Sequence, residues 1–546
     1  MADKENRALW SRPRIEQILK EKFGFNSFHQ GQRATIQNIL DDKHTLLVMP
    51  TGGGKSLCYQ LPSLINPGVT LVISPLISLM KDQVDKLTAE GISAAAINSS
   101  FEFKEQLTRL EGIRQNKYDL VYVAPERLES QRFQEALKDI EVELLAIDEA
   151  HCISKWGYDF RPAFRRIPET RQRIGNPVVL ATTATATPDV QQDIRRQLSL
   201  PQMKIKVHGF NRPNLYLDVR RCSAPEDKDK EIDKLLKKIG KGSVIIYTGT
   251  RDEAEKLSEH VEITTGLKAA CYHGGMGRKR RKTMQRKFLA DEVQVMVATN
   301  AFGMGIDKPD IRLIIHFRFP GSIESYYQEA GRAGRDGLPA RCVLLFHLED
   351  RKLQRYFINN DAPETSEVYE LYDKIRRSPP GDKDNPLPVG RTAHLKSGKL
   401  VDGKLNDIKV RTGIRLLVEA DWLEDLGYKK DVRYLKIKKE KYDQLEAQMG
   451  AVEKRRKGKF KRLHQMIDYA SSGVDCRRRY ILDYFGEEEE IETSPCCDAC
   501  DDYQGNAKQQ ENSCSEQPAE LNINETTSDS FEQTDDKINS YDYPPF

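Results

Sequence analysis

The chain has 546 residues, of which 38% are apolar and 31% charged, with a formal net charge of +3. Its most apolar segment, Leu71 to Met80, is only ten residues long and is interrupted by Pro75, far short of the roughly 18 apolar residues of a membrane span. The charged N-terminus also lacks the apolar core of a secretion signal, so the sequence predicts an intracellular protein, cytoplasmic or nucleoid, of three or four domains.

In chain order, short apolar runs occur at Thr45–Met49, Thr70–Ile73, Leu120–Val123, Leu144–Ile147 and Val178–Ala181. Amphipathic stretches such as Leu76–Leu87 and Asp189–Leu198 separate them. Runs that are apolar throughout, rather than alternating, predict parallel strands covered on both faces by helices. The rhythm pauses over Pro201–Asp227 and resumes at Ser243–Tyr247, Ala269–Tyr272, Val293–Ala298 and Leu313–Phe317. Two α/β domains are therefore expected, over 1–208 and 209–350.

Beyond Asp350 the pattern changes. Helices are expected at Glu367–Arg377 and Asp407–Ala420, with Ser378-Pro379-Pro380-Gly381 as a break, a loop running to Gly403, and a strand at Tyr434–Ile437. Within 351–453 these elements fit either a winged helix or an unrelated helical insert. Residues 454–502 are expected to form a helical module carrying cysteines. The polar, acidic stretch 503–546 has too little apolar content to fold and is expected to be disordered.

Charge is unevenly divided. From Gly486 to Phe546 there are 17 acidic and 2 basic residues, which leaves the preceding body at +18. A basic body suits a polyanion, though it would equally suit other polyanion binders, and the acidic tail suits a protein partner.

The chemistry begins with Pro50-Thr51-Gly52-Gly53-Gly54-Lys55-Ser56, directly after an apolar run. A strand that empties into such a turn offers bare backbone N–H groups to a polyphosphate, with the lysine reaching the outer phosphates and the serine hydroxyl holding Mg²⁺. Asp148-Glu149-Ala150-His151 follows a second run, placing Asp148 as a further Mg²⁺ ligand and Glu149 as the carboxylate that orients water. The pair predicts NTP hydrolysis. In the second α/β domain, Gln328-Glu329-Ala330-Gly331-Arg332-Ala333-Gly334-Arg335 holds two arginines three apart, expected on one helix face. Facing the phosphate loop across a cleft, Arg332 and Arg335 would neutralise transition-state charge, with Asp307 upstream. Six of ten cysteines are scattered, whereas Cys476, Cys496, Cys497 and Cys500 lie within 25 residues. Four thiolates suffice for tetrahedral Zn²⁺. Adjacent Cys496 and Cys497 are not expected to aim at one metal without strain, so His464, Asp501 or Cys514 are alternative fourth ligands.

These motifs resemble the RecQ family of superfamily-two DNA helicases, nearly continuously over 10–350 and again over 463–502. The most specific match is Asp148-Glu149-Ala150-His151-Cys152-Ile153-Ser154-Lys155-Trp156-Gly157-Tyr158-Asp159-Phe160-Arg161-Pro162. The resemblance implies two tandem RecA-like domains, ATP as substrate and 3′→5′ unwinding of DNA, single-stranded and tailed or branched. It implies that this aromatic-rich loop links strand contact to ATP turnover. Trp156 and Phe160 would stack bases, and Arg161, Arg127 and His273 would contact the strand. Phe25 and Gln32 resemble the adenine-recognising segment, and Thr182, Thr183 and Thr185 the segment that couples the domains. His29 and Tyr158 depart from the family's arginine and histidine. A family zinc site is implied at the four cysteines. An RNA-remodelling helicase and a nucleic-acid scaffold with an inactive ATPase remain the competing readings.

Overall fold

The computed structural model describes residues 12–500, except 51, 76, 99–100, 102, 139, 155–160, 304–307, 378–386, 391–406, 430–431, 439–441, 472, 489–490 and 492–495. The first sheet holds seven parallel strands: β1 (Thr45–Val48), β2 (Val69–Ile73), β3 (Ala94–Ile97), β4 (Leu120–Val123), β5 (Val142–Ile147), β6 (Val178–Thr183) and β7 (Lys204–Val207). Their order is β3-β4-β2-β5-β6-β1-β7. Each central strand sends alternate residues to opposite faces. Leu46, Val48, Leu71 and Ile73 join one apolar cluster, while Leu47, Val72 and Leu144 join another. Two buried faces are why these strands are apolar without alternation.

The second sheet contains β8 (Leu215–Arg221), β9 (Ser243–Tyr247), β10 (Ala269–Tyr272), β11 (Val295–Ala298), β12 (Ile311–His316) and β13 (Ala340–Phe346), in the order β10-β11-β9-β12-β13-β8. Four strands are not among those the apolar runs predict. β7 and β8 fall inside the supposed pause, and β3, β7 and β8 are edge strands of their sheets. An edge strand has an open flank and tolerates lysine, arginine and small residues, so its run is short of apolar side chains. The fourth, β13, opens on Ala340-Arg341 before turning apolar.

Beyond the two α/β domains, β14 (Leu387–Gly390), β15 (Leu423–Lys429) and β16 (Val432–Ile437) form an antiparallel sheet ordered β14-β16-β15. Helices Thr365–Arg377 and Asp407–Glu419 pack with it around Trp422, which meets Tyr372 edge-on at 4.5 Å. β14 lies in the stretch read above as loop, where a four-residue strand after Pro386 carries little signal. This core is separate from those of the two parallel sheets. The 28-residue helix Tyr442–Tyr469 then leads to the helix Arg477–Phe485. Leu463, Met466, Tyr469, Leu482 and Phe485 rejoin the large cluster that spans both sheets. Among the described residues, no helix is long and apolar enough to cross a membrane.

Candidate functional site

The loops at the carboxyl ends of β1, β2, β5 and β6 converge, as binding loops do in open parallel sheets. After β1 the chain turns through Gly52 (φ 86°) and Gly54 (φ 78°), both in the left-handed region that side chains resist. A Cβ on Gly53 would lie 2.5 Å from Met49 Cγ, and one on Gly54 2.2 Å from Gln32 Nε2. Lys55 Nζ donates to Met49 O (2.9 Å) and Pro50 O (3.1 Å), which holds the ammonium over the loop. Gln32 is buried and frames the same loop, its amide donating to Gly54 O (3.0 Å) and Gly53 O (3.2 Å) while His29 N–H donates to its Oε1 (2.8 Å). The side chain expected to read a base edge is here engaged with backbone. Phe25 nearby is 53% exposed. Ser56 precedes the helix Leu57–Ser63 and makes no capping bond with its hydroxyl.

Asp148 lies at the end of β5. Its Oδ1 accepts from Glu149 N (3.0 Å) and Thr182 Oγ1 (3.2 Å), and its Oδ2 from Ser74 Oγ (3.3 Å), so three strand ends fix one carboxylate. Burial, then the charge of Glu149, pushes Asp148 up to about 6. Glu149 adopts φ 51°, a conformation rare for a side-chain-bearing residue and frequent where function imposes it. Burial alone would raise Glu149, but the hydrogen bond and charge of His151, followed by Lys55, more than offset it and hold it below the usual range. His151 Nδ1 lies 3.3 Å from Glu149 Oε2 and 2.8 Å from Thr183 Oγ1. Burial lowers the Lys55 pKa, opposed by Glu149 and Asp148. A cation, two carboxylates and a bare loop thus share one pocket, which suits a metal-bound polyphosphate and a water.

From the second lobe, Arg335 Nε comes within 3.7 Å of where a Gly52 Cβ would sit. Arg332 takes a different course. It is 3% exposed, interacts with the Tyr247 hydroxyl, and lies 3.3 Å from a Gly303 Cβ position. The shared helix face expected for the two arginines is therefore corrected. The helix Ile323–Ala330 ends before them, and they lie on successive turns. Arg212 fixes that segment by donating to Ala333 O and Gly334 O, both at 2.9 Å.

Among the expected strand contacts, Arg127 donates to Asn98 O (3.3 Å) and Arg161 to Pro75 O (3.4 Å) beside the first lobe's loops. His273 is corrected. Its ring is buried and bonded to Glu255 (3.0 Å), because the turn after β10 folds it inward. Thr51, Trp156, Tyr158, Phe160 and Asp307 lie outside the described residues.

The four cysteine sulfurs come together, all within 4.8 Å of one another. Separations of 3.4 Å (Cys476–Cys496), 3.8 Å (Cys496–Cys500) and 3.4 Å (Cys497–Cys500) approach the sulfur spacing of about 3.8 Å that tetrahedral Zn–S bonds of about 2.3 Å require. Cys496 does join its neighbour. The chain leaves a single β-bridge at Cys497, paired to Leu217, and enters a helical turn at Asp498, which brings adjacent side chains to one side. Arg477 N–H and Arg479 N–H point at Cys497 and Cys476 sulfurs (3.3 and 3.4 Å), and Arg477 is braced by Asp498 at 3.1 Å. Such donors favour thiolate. Among the described residues, His464 is not one of the groups gathered within 4.8 Å. Asp501 and Cys514 lie outside the described residues.

Sequence reasoning missed Ser74 and His151 as holders of the two acids. It also missed Phe210, Phe485 and Glu487, of which the last carried a signal only as the first of four glutamates.

Three family models match the chain: DEAD/DEAH box helicase over residues 29–194, Helicase conserved C-terminal domain over 227–337, and RecQ zinc-binding over 431–501. The chain is 47% identical over 366 residues to a protein named ATP-dependent DNA helicase RecQ from Bacillus subtilis, covering 67% of this chain and 61% of that one. It is 35% identical over 490 residues to one named Probable ATP-dependent DNA helicase RecS from the same organism, covering 89% and 92%. The chain thus spans under two thirds of the first relative and nearly all of the second. A crystal structure of the DUF1998 helicase MrfA bound to DNA shares the fold at 19% identity, with a TM-score of 0.51 over 79% of this chain and 63% of that one.

Proposed function

The chain belongs to the RecQ family of ATP-dependent DNA helicases, and from that premise we propose that it hydrolyses ATP between its two lobes to move 3′→5′ along single-stranded DNA, opening tailed or branched duplexes in recombination or repair. The observation that carries this reading is the approach of Arg335 to Gly52 across the cleft, opposite Lys55, Asp148 and Glu149.

In this reading Gly52 to Gly54 cradle the phosphates, and Lys55 exchanges its loop carbonyls for phosphate oxygens. Glu149, kept ionised by His151, accepts a hydrogen bond from the attacking water. Arg335 neutralises charge that develops on the transferred phosphoryl group. Ser56 and Asp148 would hold Mg²⁺, which supplies charge neutralisation to the outer phosphates. Phe25 suits stacking on the base. Cys476, Cys496, Cys497 and Cys500 would hold Zn²⁺, which supplies a cross-link that folds the segment. Arg127 and Arg161, with Trp156 and Phe160, would track the strand. Arg332 acts as a structural brace beneath Arg335.

The strand order β14-β16-β15 with its two helices supports a winged-helix reading of 351–453, suited to duplex DNA. The acidic segment 503–546 suits a basic protein partner.

Strand separation on 3′-tailed against 5′-tailed duplex tests the proposal. The wild-type chain opens the 3′-tailed form, and single-stranded DNA stimulates its ATPase more than RNA of the same sequence. Lys55→Ala retains DNA binding and loses turnover; full ATPase in that variant would refute the assignment.

A further inference from the structure

The two lobes are joined by residues 208–214, between β7 and β8, and this joint is held by the cysteine module. Glu487 is only 6% exposed. Its carboxylate accepts three successive backbone N–H groups of the joint: Gly209 to Oε1 at 2.7 Å, Phe210 to Oε2 at 2.7 Å and Asn211 to Oε2 at 3.2 Å. Phe485, two residues earlier, stacks on Phe210 at 4.2 Å and 21°. Tyr327 of the second lobe donates to Phe210 O at 2.8 Å.

The same short turn touches both lobes. Gln191 of the first lobe donates to Phe485 O at 3.2 Å, and a Cβ on Gly486 would lie 3.1 Å from Pro188 Cγ. Arg478 donates to Leu215 O at 2.8 Å at the start of β8, and Cys497 bridges to Leu217 in that strand. On its other side the joint reaches the nucleotide site. Gly209 has φ 84°, and a Cβ there would lie 3.5 Å from Pro50 Cδ of the phosphate loop. His208 N–H donates to Val48 O at 3.0 Å.

We propose that Glu487 is a positioning residue for ATP turnover: it fixes the pivot between the lobes, so that closure on ATP swings the second lobe about a defined axis. A buried carboxylate is costly unless its oxygens are hydrogen-bonded, and three fixed N–H groups stabilise it as they would an anion in a backbone nest. The carboxylate thereby removes the freedom of three joint residues without covalent attachment. Displacement of Pro50 when nucleotide fills the phosphate loop then bears on Gly209 and is passed to a defined axis. Without the clamp, each closure would be spread over a loose segment, and Arg335 would reach the phosphate in fewer attempts.

This proposal rests on the helicase reading. Glu487→Gln is nearly isosteric but removes the charge and turns one acceptor into a donor facing N–H groups. Three readouts are taken on full-length protein: zinc content, amide hydrogen exchange of a peptide spanning 205–215, and DNA-stimulated ATPase kinetics. The expected result is unchanged zinc, exchange at 209–211 faster by about tenfold, and kcat lower by about fivefold with KM for ATP within about twofold of wild type. Glu487→Asp, which keeps the charge, recovers part of kcat. If Glu487→Gln fails to fold, Phe485→Leu carries the test, with smaller changes in the same direction. Unchanged exchange, or faster exchange with wild-type kcat, overturns the pivot while leaving the helicase reading intact. A wild-type chain whose ATPase ignores DNA overturns the helicase reading itself.

Discussion

Arg335→Ala isolates the contribution of the second lobe to hydrolysis. The guanidinium stands at the rim of the phosphate loop, 3.7 Å from a Gly52 Cβ position. A unit charge brought to about 4 Å of phosphate oxygen, at an effective dielectric of about 20, gives about 4 kcal/mol. Expressed in the transition state, that is about a thousandfold in rate. Arg335→Ala should therefore lower kcat/KM for ATP by about 10³, with thermal stability near wild type because Arg335 is only half-buried. Arg332→Ala should behave oppositely, losing about 2 kcal/mol of stability with its buried contacts and most of its effect on turnover arising from that loss. Steady-state ATPase with saturating single-stranded DNA, and thermal melts of both variants, make the comparison. A loss below about tenfold for Arg335→Ala would sink the electrostatic argument. So would an Arg332→Ala variant that is fully stable yet inactive.

Other consequences can be checked directly. Zinc content should stay at about one ion per chain in His464→Ala and fall well below it in Cys496→Ser, because the four sulfurs already meet. Lys228, 1% exposed, donates to Phe317 O and pairs with Asp350, which Arg318 also contacts; Lys228→Met should cost about 3 kcal/mol in denaturant unfolding, the lower end for a broken buried pair. His44 accepts Val179 N–H at 3.0 Å, and burial, followed by the charge of Arg171, holds its pKa below the ordinary value. The unfolded chain thus takes up this proton first, so His44's contribution to stability is complete above about pH 6.5 and is lost as pH falls through the folded value. The urea midpoint should drop less between about pH 7.5 and 5.5 in His44→Gln than in wild type.

Every central strand but β13 was legible, because burial on two faces demands an unbroken apolar run. Lys204–Val207 and Leu215–Arg221 were not, since an edge strand answers to one neighbour and one packed flank. The phosphate loop and the Asp-Glu pair were legible because their chemistry depends on residue type at fixed spacing. Gln32 was marked by its motif, but its backbone partners at Gly53 and Gly54 depend on how the loop folds. The Arg332–Arg335 spacing misled, because three residues apart means a shared face only inside a helix, and the helix stops at Ala330. Adjacent Cys496 and Cys497 misled for a related reason: backbone direction changes between them. Glu487 was hidden by composition, its sequence neighbours being the start of an acidic run.

The segment holding the three-stranded antiparallel sheet enters and leaves the rest of the protein at neighbouring points. Lys459 pairs with Asp361 at 2.6 Å and Arg456 with Glu364 at 2.8 Å, so the outgoing helix Tyr442–Tyr469 is fastened to the end of the helix Arg351–Asp361 and to the turn after it. A head with a closed neck and its own core leaves the packing of the two parallel sheets independent of its length.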